Sequence, residues 1–484
     1  MKSLTDLYSV ENFRSTGHAL VDQLADYLES TPSADANPHA EPEDMLEDYR
    51  QVLEDGSTPN ELYAKYIAES LHLHSPNYMG HQVNPPAPIT ALADMVNGII
   101  NGSTAIFEMG RTGAVMERLV IEKFANLLGL ADTTGGFLTN GGTLANLTAL
   151  LAARTAKWPS GDAWSGGNQA FRPCVLVNEQ AHYCIDRAVK IMGWGEAGII
   201  NIAADENFRM RTGLIDEAIA NAKEEGLTPL AIIGSACTTS TGSFDDLGAI
   251  ADAADKYGLW FHVDGAHGAP VRLDPGRRHL LNGLERADSL TMDFHKMLMC
   301  PGLTTGIFFR KGSDAYRTFH QKADYLLSFD TNEEDWYNVG RRTFECTKNM
   351  MSLRVFSLLA CHGADIFRDY VVRVNEIANQ FASTVKKNQD FELALEPDCN
   401  IVCFRFCPNG CTHTSDELSH LNAMIRAQLV AETKFYVVQT KLRSQLYLRC
   451  TFTNQATTEQ YLMELLAKLS QIGNSLVEFR NILI

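Results

Sequence analysis

The chain has 484 residues, 45% hydrophobic and 21% charged, and its 41 Lys and Arg against 59 Asp and Glu give a formal net charge of −18. That composition is too apolar for a disordered chain, and the length predicts more than one compact domain, or one large domain with a smaller appendage. The negative excess argues against non-specific binding to nucleic acid or an anionic membrane, whose phosphates it would repel.

The N-terminal stretch MKSLTDLYSVENFRS is polar, and no apolar run is long enough to span a bilayer, so a cytoplasmic protein is expected. Val10, Phe13, Ala19, Leu20, Leu24, Tyr27 and Leu28 recur at helical spacing. A Pro- and acid-rich break follows, then a second helical stretch over 43–72. Residues 1–75 are too poor in apolar side chains to stand alone and are expected to pack on something larger. From 76 to 365, helical patterns (116–129, 143–157, 184–192, 214–224, 246–256) alternate with short β-rich runs at 174–179, 230–237, 259–264 and 306–310. That alternation predicts a large α/β domain with a mostly parallel sheet covered by helices on both faces. Residues 366–484 read as a small α+β domain, with a helix near 366–388 and strands at 400–406 and 445–452. The evenly spaced Cys403, Cys407 and Cys411 lack a histidine pair at finger spacing. Reduced thiols are the expectation, and no metal.

Ligands of parallel α/β sheets bind beyond the carboxyl ends of strands, so residues there carry the chemistry. TNGGTLANLTALL (139–151) puts Gly141 and Gly142 at a helix start, where free N–H groups and the helix dipole suit a phosphate, with Thr143 adding a hydroxyl. Asn-Gly-Gly is equally an ordinary turn. His182, in NEQAHYCIDRA, is placed either to lie against a flat ring or to cap a helix. Asp264 ends the strand of FHVDGAHGA. A buried carboxylate needs a partner, and the small residues beside it leave room for a ring with a protonated nitrogen. A helix-capping Asp is the plainer alternative. Lys296, in DSLTMDFHKMLMCPG, lies between apolar stretches. Such a setting is expected to lower an amine pKa and favour imine chemistry; a lysine stem packed under a solvated head is the alternative.

Together, NEQAHYCIDRA, HVDGAHGA, RHLLNGLERADS and DFHKM resemble, in order, the motifs of the group II pyridoxal-phosphate-dependent amino-acid decarboxylases, the likeness running from about residue 70 to the C-terminus. The resemblance implies the type I aminotransferase fold, pyridoxal 5′-phosphate as cofactor, and a homodimer with active sites at the subunit interface. Lys296 is similar to the lysine that binds the cofactor covalently, Asp264 to the partner of the ring nitrogen, and His182 to the stacked imidazole. Gly141, Gly142, Thr143 and His295 resemble phosphate contacts, and Ala266 and Thr239 further cofactor contacts. The sequence departs from the family pattern in three places: Asp293-Phe294 stands where Asn-Pro is usual, Cys237 replaces a Gly, and His267 replaces a Tyr.

The implied reaction is loss of the α-carboxylate as CO2, with Tyr325 or Tyr337 as the acid that returns a proton to carbon. His81 and Gln82, in NYMGHQVNPP, and Arg449, in YLRCTF, are similar to substrate-side residues. Acidic and diamino substrates both remain open. The alternatives are another enzyme of this fold (aldehyde synthase, aminotransferase or lyase) and a non-catalytic scaffold.

Overall fold

The computed structural model describes residues 4–38, 40–158, 163–167, 171–319, 335–408 and 414–482. The chain folds as two compact units. One comprises 1–81, 380–394 and 403–484, and the other 82–379 and 395–402.

The second unit is built on seven strands: β1 (Gly135–Thr139), β2 (Arg172–Asn178), β3 (Ile199–Ile202), β4 (Leu227–Ser235), β5 (Trp260–Asp264), β6 (Ser289–Asp293) and β7 (Thr305–Phe309). Their order is β1-β7-β6-β5-β4-β2-β3. All neighbours are parallel except β7, which runs antiparallel to both β1 and β6. Strands β5, β6 and β7 are buried along their whole length, because both faces of the sheet are covered.

On one face Phe137, Val175, Val177, Ala231, Ile233, Ile307 and Phe309 meet the helices Gly142–Lys157 and Tyr183–Ile191. Ala145, Ala149 and Ala152 make the inner stripe of the first helix, and small side chains let it lie close to the sheet. The mostly parallel sheet agrees with the alternating sequence pattern. Three strands were hidden in it. Strand β1 opens with Gly135-Gly136, a pair that argues against a strand. The fold needs it there, because a Cβ on Gly136 would fall 2.0 Å from the Ile307 carbonyl oxygen of β7. Strand β3 is a four-residue edge, and β6 is masked by the apolar run that continues past it.

Helix Phe107–Leu128 is tied to this sheet by a buried ion pair. Lys348 Nζ donates to both oxygens of Glu117 at 2.9 Å and also to the Leu138 carbonyl of β1, with both side chains almost wholly out of water. Removing one partner leaves a buried charge without compensation. Glu117→Ala is therefore expected to lower stability by about 3–5 kcal/mol in denaturant unfolding; a loss below about 1 kcal/mol would show that the pair is solvated.

The first unit carries the helices Val10–Ser30, Pro42–Asp55 and Pro59–Glu69. The single helical stretch expected over 43–72 is thus two helices. They are separated by Gly56, at φ +79°, and by Thr58, which caps the next helix in a reciprocal box with Glu61. A five-stranded sheet follows, in the order Tyr78–Met79, Tyr436–Leu442, Gln445–Thr451, Ile401–Phe406 and Phe391–Leu393. Its helices include Ser415–Glu432 and Glu459–Ile482. Among the described residues no helix is long and apolar enough to cross a membrane, and no cluster of His, Cys, Asp or Glu is arranged to hold a metal.

Candidate active site

Strands β1, β2, β4, β5 and β6 all end at one edge of the large sheet, and the segments leaving them line a single cavity of about 260 Å³. Gln82, Gly141, Gly142, Thr143, His182, Thr239, Asp264, Ala266, His295 and Lys296 all face it. His81 and Arg449 belong to the first unit, and Tyr325 lies outside the described residues. His81 Nε2 is 3.3 Å from the Tyr436 hydroxyl, and Arg449 is buried on Gln445–Thr451. Tyr337 donates its hydroxyl proton to Asp335 at 2.8 Å.

At one end of the cavity, Gly141 holds φ +95° and opens helix Gly142–Lys157 without a side-chain cap, so the first N–H groups have no side-chain acceptor. Gly142 is needed for space, since a Cβ there would come within 3.2 Å of Asp293 and 3.5 Å of the Ala266 methyl. The helix N-terminus, Thr143 and His295 all line this cavity, which makes them a candidate anion cradle. His295 Nδ1 meets the Thr304 backbone, 3.0 Å from its carbonyl oxygen and 3.1 Å from its N–H, which orients the ring.

Of the two placements the sequence offers for His182, the helix cap is the one seen. Its Nδ1 accepts the Cys184 N–H at 3.3 Å and caps helix Tyr183–Ile191, which fixes the ring at the cavity wall. Burial lowers its pKa, and the opposing pull of Asp264 does not offset it. The ring is thus a neutral plate near neutral pH. Asp264 is 8% exposed, and its Oδ1 accepts the Ala266 N–H at 3.2 Å.

Lys296 departs from the expectation of a lowered pKa. Burial does oppose its charge, but Asp293 lies 2.8 Å from Nζ, Asp264 adds to the attraction, and the amine is raised. Asp293 is fully buried; burial works against its charge, and Lys296 and His295 outweigh that to hold it below its usual range. Thr305 donates to its other oxygen. The apolar run around Lys296 hid this partner, which stands one helical turn ahead of it. Asp293→Asn is expected to lower the Lys296 pKa by roughly one unit or more. Less amine is then protonated at a given pH, so uptake of pyridoxal phosphate by the apoprotein, followed by visible absorption, should extend to lower pH. An unmoved profile would mean that Asp293 does not control the amine.

Sequence reasoning passed over Asn146, which also lines the cavity. Asn146 Nδ2 donates to Cys184 Sγ at 3.2 Å, so its Oδ1 must accept from His262 Nε2 at 2.8 Å. His262 is fully buried, with its pKa lowered to about 4 by burial, so its Nδ1 accepts the Ser289 hydroxyl at 2.8 Å. Ser289 in turn accepts the Trp260 indole N–H. This chain fixes one tautomer beneath the cavity floor and ties together the helices that carry the anion cradle and His182. The available signal was Asn146 itself, four residues after Gly142 and hence on the same helical face.

A flat ring with a phosphate, an aldehyde and a basic nitrogen fits this lining. The cradle suits the phosphate, the Lys296 amine suits the aldehyde, Asp264 suits the nitrogen, and His182 and Ala266 line the same cavity. The chain matches the pyridoxal-dependent decarboxylase conserved domain over residues 31–407. It is 26% identical to an aromatic-L-amino-acid decarboxylase of Bacillus atrophaeus, with 96% of each chain covered. It is 25% identical to an L-2,4-diaminobutyrate decarboxylase of Acinetobacter baumannii, covering 84% of this chain and 81% of that one. The solved structure of mouse CSAD has the same fold, with a TM-score of 0.87 at 23% identity over 96% of this chain and 99% of that one.

Proposed function

This chain belongs to the pyridoxal-dependent decarboxylase family, and from that premise we propose that it releases CO2 from an L-amino acid with a short polar side chain, acidic or diamino. It is a carboxy-lyase with the type I fold and pyridoxal 5′-phosphate as cofactor. The single observation behind the substrate class is the cavity lining. Among the described residues Leu303 is its one large apolar side chain, and Gln82, Asn140, Asn146 and His267 make the rest polar. An aromatic side chain would find little apolar surface there. Relatives of nearly equal identity are named for aromatic and for diamino substrates, so identity does not choose between them.

The cavity lining supports the roles proposed for Lys296, Asp293, Asp264, His182 and Gln82. The bound cofactor supplies an electron sink for the pair left when the carboxylate departs. Lys296 holds it covalently, and Asp293 is the nearest acceptor for the proton that the amine must lose. Asp264 keeps a proton on the ring nitrogen, and His182 covers one ring face as a neutral plate. Gln82, His81 and Arg449 are proposed to meet the substrate, and Tyr325 to return a proton to carbon.

We also propose a cytoplasmic homodimer, with residues 1–75 packing on the partner, 76–365 as the cofactor domain and 366–484 as the small domain. Leu92, Met95, Val96, Ile99 and Ile100 of helix Pro88–Ile100 are each at least 41% exposed, an apolar face suited to a second copy. None of the described cysteines forms a disulfide, in keeping with a reducing compartment.

The test is a panel of amino acids assayed for CO2 and amine. Glutamate, aspartate, cysteine sulfinate or 2,4-diaminobutyrate should yield both products, while tyrosine and tryptophan should yield neither. Turnover of tyrosine or tryptophan alone would overturn the substrate class. Keto acid without CO2 would overturn decarboxylation.

A further inference from the structure

A pair of thiols stands in the cavity wall and has no part in the roles above. Cys237 lines the cavity, and Cys399 lies directly behind it, with Sγ to Sγ 3.9 Å. Both side chains belong to the same unit, although 162 residues separate them. Cys399 is held from both sides. Asp398 is paired with Arg209 at 2.7 Å, and Asn400 Oδ1 is 2.7 Å from His267 Nε2. The loop that carries Cys237 is pressed against it. Gly242, at φ +76°, has room for no side chain, since a Cβ there would fall 2.7 Å from Cys399 Sγ.

We propose that Cys237 and Cys399 are a disulfide-forming site, oxidised by a small peroxide that enters through the cofactor cavity. The step balances. One sulfur attacks hydrogen peroxide, the O–O bond breaks, and a sulfenic acid and hydroxide form. The second sulfur then displaces the sulfenic oxygen as water, so that two thiols and one peroxide give one disulfide and two waters. The hydrogen bond from Cys237 and the neighbouring His267 imidazole lower the Cys399 pKa against burial, whereas Cys237 is pushed well up. Cys399 is thereby the more acidic of the two thiols, and the 3.9 Å approach of the sulfurs puts either one within reach of an oxidised partner.

A disulfide bond is about 2.05 Å long, so the two sulfurs must approach by roughly 2 Å. The Cys237 side of the cavity, which includes Thr239, moves with them. Oxidation should then lower activity, and a dithiol reductant should restore it. The other cysteines supply an internal comparison. Cys346 and Cys361 are exposed and far from the pair in sequence, so they report oxidation that needs no cavity.

The experiment treats the holoenzyme with graded hydrogen peroxide and maps peptides without reduction, alongside a count of free thiols. The expected result is a Cys237–Cys399 cross-linked peptide, two thiols lost together, and at least a several-fold fall in activity that dithiothreitol reverses. Cys399→Ser should form no such peptide, and its activity should resist the same dose. Cys237→Ser serves as the second variant should the first fail to fold. Oxidation of Cys346 and Cys361 with the pair still reduced would overturn the proposal. So would a cross-link that appears only after unfolding.

Discussion

Lys296→Ala is expected to reduce decarboxylation by at least about a thousandfold, because a group that bonds covalently to the cofactor cannot be replaced by positioning alone. Lys296 is the only lysine among the described residues lining the cavity. Borohydride should fix pyridoxal phosphate to the parent protein and fail to do so in the variant. Alanine also removes the cation 2.8 Å from buried Asp293, so a folding defect is a competing explanation. Lys296→Arg separates the two. Arginine keeps a positive charge near Asp293 but stays protonated and cannot add to an aldehyde. It should recover most of the stability in denaturant unfolding and none of the activity. Substantial decarboxylation by either variant would remove Lys296 from the mechanism.

The site was legible in the sequence where the fold brings strand ends together, and obscure where partners come from afar. Gly141, Gly142, His182 and Lys296 each follow a strand and Asp264 ends one, and the parallel topology alone carries them to one edge. Asp293 was visible as a residue but not as a partner. Its effect on Lys296 depends on the four-residue helical turn Phe294–Met297, which folds the amine back within 2.8 Å. Local composition instead suggested an apolar pocket and a lowered pKa. The His262 relay was out of reach, because Asn146, His262 and Ser289 come from a helix and two strands with no sequence pattern in common. Cys399 met Cys237 only through the return of residues 395–402 to the large unit, an excursion that no hydrophobic periodicity records. Strand β7 was legible as a strand, but its antiparallel direction and its place between β1 and β6 were not: short apolar runs reveal that a strand exists but carry no sign of its direction.

Asp264→Asn is expected to lower kcat by about a hundredfold to a thousandfold with KM little changed, the loss typical of a preorganised charge aimed at the reacting group. The substitution is nearly isosteric, and the amide oxygen can still accept the Ala266 N–H that Oδ1 accepts at 3.2 Å. The turn after β5 should therefore survive, and borohydride should still fix the cofactor to Lys296. What disappears is the negative charge. A neutral amide cannot hold a proton on a ring nitrogen against the positive charge of Lys296, which shares this cavity. Without that proton the bound cofactor would be a weaker electron sink, so the deficit is expected in kcat rather than in substrate binding. This variant also decides between the two readings of the residue. If Asp264 serves only to cap its turn, the asparagine protein should keep kcat within a few-fold of the parent, because asparagine caps as well as aspartate does. A loss confined to KM would point to substrate contact instead and would equally remove Asp264 from its assigned place.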